Sequence, residues 1–317
     1  MATLAVVAPA SAQATFDALV RVTATVPVEA RTAGGLGTER VGNGILIDRQ
    51  GHVLTIGYLI LEAARIEVTT ADGRRYPARV AGYDHATGFG LLQTAPPIPG
   101  TPLALGESAD VAVGDAVQIL TAGELAGLNA RVISRKEFAG YWEYLLESAL
   151  YVTPPHPDYG GAALVAADGR LVGVGSILTR LELEAVGWIP CNMFVPIDLL
   201  KPILGDLLVR GRADAPPQPW LGLYSQEVQG RVFVVRVAED GPAEAAGLEA
   251  GDVILAVGGD AVNSLAGFYR KLWSLGEAGT AVPLRVLHGD EVREITVTSR
   301  DRRDYLKPPA SLMGQPI

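Results

Sequence analysis

Between residues 41 and 177 the chain is cut into short β-branched or alternating runs, and this punctuation constrains the fold more than any other feature. The runs are VGNGILID, HVLTIGYLI, RIEVTT, YPARVAGY, FGLLQT, DAVQIL and LVGVGSI, separated by turn signals such as DRQG, ADG, GES and AADG. A period of two places alternate side chains on one buried face, and regularly spaced turns fold each strand back on the last. The pattern predicts an antiparallel barrel or sandwich. The 37 glycines and 21 prolines point the same way, toward tight turns over long helices. One stretch departs from it. PIDLLKPILGDLLVRG (196–211) carries apolar residues at helical spacing, and Gly211 marks the end of that helix.

The polar, proline-rich RADAPPQP (212–219) has no apolar periodicity and reads as an interdomain linker. At 317 residues, with 49% hydrophobic and 19% charged content, the chain suffices for two domains that each bury a core. The reading is an N-terminal segment (1–14), a first domain (15–210), a linker (211–219), a second domain (220–300) and a polar, loosely held tail (301–317). In the second domain, strands are expected at WLGLYSQEV, RVFVVRVA, DVILAVGG, VPLRVLH and EVREITVTS. Helices are expected at PAEAAGL and LAGFYRKLWSLG.

Several function classes fall away. A formal net charge of −9 without a Lys/Arg block argues against nucleic acid, whose binding depends on neutralising phosphates. The lone Cys191 lies in an apolar run, reads as a buried thiol, and excludes an internal disulfide or a cysteine-based metal cluster. No cofactor or metal is expected. The opening MATLAVVAPASAQA is apolar and closes on Ala10-Ser11-Ala12, a small-x-small cleavage pattern. It lacks a basic region and is short for a complete signal. We read it as the remnant of a signal peptide, implying a periplasmic or otherwise exported protein; the alternative is a plain apolar segment. No other stretch reaches the roughly 18 apolar residues of a membrane span.

Residues 241–260, GPAEAAGLEAGDVILAVGGD, resemble the signature of PDZ domains in bacterial proteases, and the preceding WLGL is similar to their carboxylate-binding loop. A glycine there lets successive N–H groups point at one anion, and an exposed strand edge can accept an extended peptide. The resemblance implies a peptide groove with Leu221, Gly222, Leu223 and Tyr224 on the loop and edge strand. Phe268 and Leu272 would line its pocket from the facing helix (265–275). The expected partners are extended or C-terminal peptides.

The first domain resembles the trypsin-like fold of the HtrA (Deg-type) protease family. GNGILIDRQGHVLT, VTTADGRRYPARVAGYDHATGFGLLQT, LALGESADVAVGDAVQIL, GGAALVAADGRLVGVGS and VPIDLLKPIL follow that family's order, and the likeness spans nearly all of 35–300. It implies a mainly β fold: a double six-stranded β-barrel followed by a PDZ α+β domain. It also allows homo-oligomers, or assembly with an active homologue. The catalytic positions depart from the family. Where its histidine stands, three residues after Thr55, this chain has Tyr58; where its aspartate stands, four residues after Asp84, it has Gly88. Its serine aligns with Gly160 or, with the register slid by one, with Tyr159. Asp158 replaces the oxyanion-loop glycine, keeping the N–H but adding a carboxylate beside a site that must stabilise an anion.

Serine hydrolysis needs an imidazole, an orienting carboxylate and a hydroxyl, so these positions predict a pseudoprotease. Asp84, His85, His156 and Asp158 could form a relocated polar site, although their spacing fits no compact ligand set. His52 and His288 read as solvated surface residues. The aromatic run FAGYWEYLL (138–146) reads either as barrel-rim packing or as an interaction surface. The leading reading is an inert, exported peptide-binding scaffold, chaperone or regulator. The alternatives are an active serine-type endopeptidase with a rearranged site, or an inert subunit of an active assembly.

Overall fold

The computed structural model describes residues 16–307 apart from 124 and 185, so the expected signal remnant at 1–14 and the end of the tail lie outside the described residues. The first strands are β1 (Leu19–Thr25), β2 (Glu39–Leu46), β3 (His52–Ile56), β4 (Arg65–Thr69), β5 (Arg75–Tyr83) and β6 (Phe89–Thr94). They close into an antiparallel barrel in the order β1-β2-β3-β6-β5-β4. Alternation decides which face turns inward: Val20 and Val22 of β1, Ile45 of β2, Val53 of β3 and Leu91 of β6 are all wholly buried.

A second barrel, β10-β11-β12-β9-β8-β7, follows. Its strands are β7 (Ala116–Leu120), β8 (Gly127–Gly140), β9 (Tyr144–Thr153), β10 (Ala163–Val165), β11 (Leu171–Leu183) and β12 (Gly187–Pro196). Ile119, Leu150, Leu164 and Phe194 centre its core. Cys191 is buried and unpaired on β12, and burial raises its thiol to about 11, so it stays protonated at neutral pH. The single helix expected over 196–211 is divided. A 3₁₀ turn covers Ile197–Leu199, and α1 runs only over Leu204–Arg210. Pro202, which has no N–H to donate, lies in the gap. Gly211 caps α1 in the left-handed conformation, as expected.

The remaining strands form one antiparallel sheet, β13 (Leu223–Val228), β14 (Arg231–Val237), β15 (Val253–Val257), β17 (Ala281–His288) and β18 (Glu291–Thr298), with the short β16 (Asp260–Ala261) beside β15. Helices α2 (Pro242–Ala245) and α3 (Leu265–Ser274) accompany it. Ser264 caps α3 by accepting from the Gly267 N–H. The sheet leaves β13 as an edge. His288 is half-buried and its Nδ1 lies 2.7 Å from the buried Asp252. His52 lies 2.6 Å from Asp48. Neither ring is the solvated surface group expected; each is held by an acid. The start of the tail is also ordered. Asp301 caps α4 (Arg302–Tyr305), and Tyr305 packs on Trp220 with ring centroids 4.6 Å apart.

By its contacts the chain forms two compact units. One comprises residues up to 136 with 148–213, and the other comprises 137–147 with 214–307. The second unit therefore includes the turn between β8 and β9, which no composition boundary marks. No helix among the described residues is long and apolar enough to cross a membrane.

Candidate functional site

In the first unit, the positions that match a catalytic triad converge. β3 ends at Ile56, and a 3₁₀ turn at Gly57–Leu59 presents Tyr58. The Gly57 N–H donates to the Gly88 carbonyl (2.7 Å), and the Gly88 N–H donates back to Asp84 (2.8 Å). The Tyr58 hydroxyl donates to the Ser176 carbonyl at 2.9 Å. A Cβ added at Gly160 would come within 2.7 Å of that same hydroxyl, so it is Gly160 that faces position 58. Burial first, then Tyr159 and Asp158, holds the Tyr58 phenol well above its ordinary range. A phenol held protonated there cannot accept a proton near neutral pH.

The loop that should carry a nucleophile keeps its shape through Asn43. Its side-chain Nδ2 donates to the carbonyls of Asp158 (2.9 Å) and Gly160 (3.1 Å), and its backbone N–H also donates to Gly160 (2.8 Å). Gly161, at φ +73, packs so tightly that a Cβ would lie 2.0 Å from the Asn43 carbonyl oxygen. No side chain fits there.

The N–H at the expected oxyanion position is bonded within its own loop. The Asp158 N–H, which the sequence keeps, donates to His156 Nδ1 at 3.0 Å. Since Nδ1 accepts, Nε2 carries the hydrogen and donates to the Leu125 carbonyl (2.9 Å). His156 is 2% exposed, and its own N–H donates to Asn192 Oδ1 (2.6 Å). The Asp158 carboxylate lies 3.7 Å from Arg21.

The other half of the suggested relocated site turns elsewhere. Asp84 accepts from the N–H and hydroxyl of Thr87 (2.8 and 2.6 Å), and His85 packs edge-on against Tyr83 at 4.4 Å. Thus His156 and Asp158 are joined through the backbone, while Asp84 is used in its own turn. Among the described residues, no group of three or more His, Cys, Asp or Glu side chains is placed to hold a metal ion.

In the second unit, the loop before β13 is an anion nest. The N–H groups of Leu221, Gly222 and Leu223 converge at 3.0, 2.7 and 2.8 Å on one carboxylate, that of Glu143. Gly222 has φ +83, the left-handed geometry that turns its N–H inward. Tyr224 stacks under Arg236, whose guanidinium carbon lies 3.4 Å from the ring centroid. Phe268 and Leu272, expected to line a pocket, are wholly buried in the apolar cluster with Leu221, Leu223 and Val234. Leu145 packs against that cluster. Tyr269 also meets the 137–147 segment, its hydroxyl donating to the Gly140 carbonyl (2.7 Å) and accepting from the Glu143 N–H (3.2 Å). Sequence reasoning passed over Glu143. The aromatic run around it was visible, but a single acid within it has no spacing signal.

Matches with known proteins agree with both units. Residues 42–174 match the description "Trypsin-like peptidase domain", and residues 219–298 match "PDZ domain". Across both units the chain is similar to HtrA-type proteases. It is 28% identical over 291 residues to the "Probable periplasmic serine endoprotease DegP-like" of Halomonas elongata, covering 84% of this chain and 58% of that protein. It is 27% identical over 292 residues to "Protease Do-like 1, chloroplastic" of Arabidopsis thaliana, covering 83% of this chain and 64% of that one. The chain thus spans roughly three-fifths of these relatives (58% and 64%). Among solved structures, the HtrA-type protease AlgW with a decapeptide matches at TM-score 0.54 and 19% identity, over 94% of this chain and 98% of that one. The serine endoprotease from Yersinia pestis matches at 0.51 and 22%, over 93% and 99%. At such identities these structures establish the fold.

Two expectations follow. Gly160→Ser alone should destabilise by roughly 1–3 kcal/mol in urea unfolding, because its Cβ overpacks against a half-buried phenol anchored to Ser176. Adding Tyr58→His should restore most of that loss; a single variant as stable as the parent would contradict the packing described. Glu143 yields the second. Burial raises its carboxyl from 4.5 to about 7, against the lowering by the three N–H donors and Arg302. A raised carboxyl links about 3 kcal/mol of stability to pH, fully present below 4.5 and lost as pH rises through 7. The unfolding free energy should therefore fall between pH 5 and 8, and Glu143→Gln should flatten that slope. An unchanged slope in the variant removes Glu143 as its source.

Proposed function

We propose that this HtrA-type protein is catalytically inert and binds extended or C-terminal peptides through its PDZ domain, with the protease fold retained as a scaffold. The observation that carries the first half is the Tyr58 hydroxyl within 2.7 Å of where a Cβ at position 160 would stand. Hydrolysis needs a base at the first position and a hydroxyl at the second, and the two residues present supply neither. Two further features support the same reading. The Asp158 N–H is committed to His156, and the Ser176 carbonyl is committed to Tyr58. Losing one triad member ordinarily costs several orders of magnitude in turnover, and here all three positions differ.

Peptide binding rests on the three convergent N–H groups of residues 221–223 and on the edge strand β13, which together suit a carboxylate and an added strand. The AlgW structures solved with peptides support that use of the fold. Export is part of the proposal. It is supported by Ala10-Ser11-Ala12 and by the periplasmic naming of the Halomonas relative.

Purified protein should neither cleave casein nor take up a fluorophosphonate probe over hours, at concentrations where an active HtrA-type protease does both. Cleavage abolished by His156→Ala together with His85→Ala would show instead that a rearranged site is active. Cell fractionation with N-terminal sequencing of the recovered protein should find it outside the cytosol and cut after Ala12. Recovery in the cytosol with Met1 attached would exclude export.

A further inference from the structure

The carboxylate nest is filled by the chain itself. Glu143 places its two oxygens on the N–H groups of Leu221, Gly222 and Leu223, the arrangement a free C-terminus would require. The mimicry extends beyond the carboxylate. On the edge strand β13, the Ser225 N–H donates to the Tyr141 carbonyl at 2.8 Å, a backbone bond of the kind an added peptide strand makes. Tyr141 packs on Tyr224 with ring centroids 6.0 Å apart, and Leu145 covers the apolar cluster.

The segment is also fastened at its rim. Arg302 donates to the Trp142 carbonyl (3.1 Å), and Arg270 on α3 bonds both Glu137 (2.7 Å) and Glu147. The turn itself does not call for a glutamate. Glu143 has φ +56, a conformation that glycine adopts without strain and other residues adopt at a cost. What the glutamate adds is the carboxylate.

Resting on the reading of this groove as a peptide site, we infer that residues 137–147 are its internal ligand, and that an incoming C-terminus must displace Glu143. Two carboxylates cannot share three N–H donors. Binding is therefore weakened by the fraction of molecules whose nest is free, and loss of the internal carboxylate removes that penalty. A buried acid serving only to hold the β8–β9 turn would not compete with peptide.

Two measurements on the full chain separate these outcomes. The first is amide hydrogen exchange at residues 221–223 without ligand. These amides should exchange slowly in the parent, and at least tenfold faster in Glu143→Ala and in the isosteric Glu143→Gln if the variants keep their far-UV spectrum. Equal protection in parent and variants overturns the occupancy. The second is polarisation of a fluorescein-labelled decapeptide pool, randomised at its last four positions and ending in a free carboxylate, with the C-terminally amidated pool as control. Affinity for the free-carboxylate pool should rise tenfold or more in the Glu143 variants. Equal affinity in parent and variants overturns the competition. If neither protein binds the pool while the amides become exposed in the variants, Glu143 still fills the nest and the peptide reading fails instead.

Discussion

Much of the first unit hangs on one buried amide. Asn43 is wholly buried on β2, and its polar groups reach four places. Its Nδ2 and N–H hold the 158–160 loop, its Oδ1 accepts from Ala122 N–H (2.9 Å), and its carbonyl accepts from the Thr55 hydroxyl (2.7 Å). Each unmet bond at such a site would cost the desolvation of a polar group, so the set is made together or not at all. That clamp fixes the path of the 158–160 loop, in which Gly160 faces the Tyr58 hydroxyl. The same closeness leaves Gly161 no room for a side chain and lets the phenol of Tyr58 sit beside Gly160.

A common pattern joins the two units, each considered by itself. Groups that could bond a substrate or peptide are bonded internally instead. Tyr58 takes the Ser176 carbonyl, His156 takes the Asp158 N–H, and Glu143 takes the N–H groups of residues 221–223. The first two each join a buried residue, Ser176 or His156, to a half-buried one, where a polar group left without a partner is costly. The third involves a segment at a sheet edge, where an added strand can be exchanged for another of like chemistry.

Most of the architecture was legible along the chain. The run FGLLQT is β6 residue for residue, and the other alternating runs fall on strands within a few positions. The failures have identifiable physical causes. The helix expected over 196–211 is interrupted around Pro202, and HVLTIGYLI leaves the strand at Ile56, where a 3₁₀ turn begins at Gly57. The partner of His288, Asp252, stands 36 residues away and no local pattern marks it, whereas Asp48 lies only four residues before His52 and was within reach of the sequence.

The sequence by itself determined the strands and turns, the two-domain plan, and the residue types at positions 58, 88 and 160, since these depend on local pattern or on identity alone. Tertiary structure decided where each remaining polar group points. The Asp158 N–H was present in the sequence, but only packing turned it toward His156. Glu143 was one acid among 35 acidic residues until folding brought it to Gly222, 79 residues away. A hydrogen bond between groups as far apart as Glu143 and Gly222 depends on angles and distances set by the whole fold, and no stretch of sequence carries it.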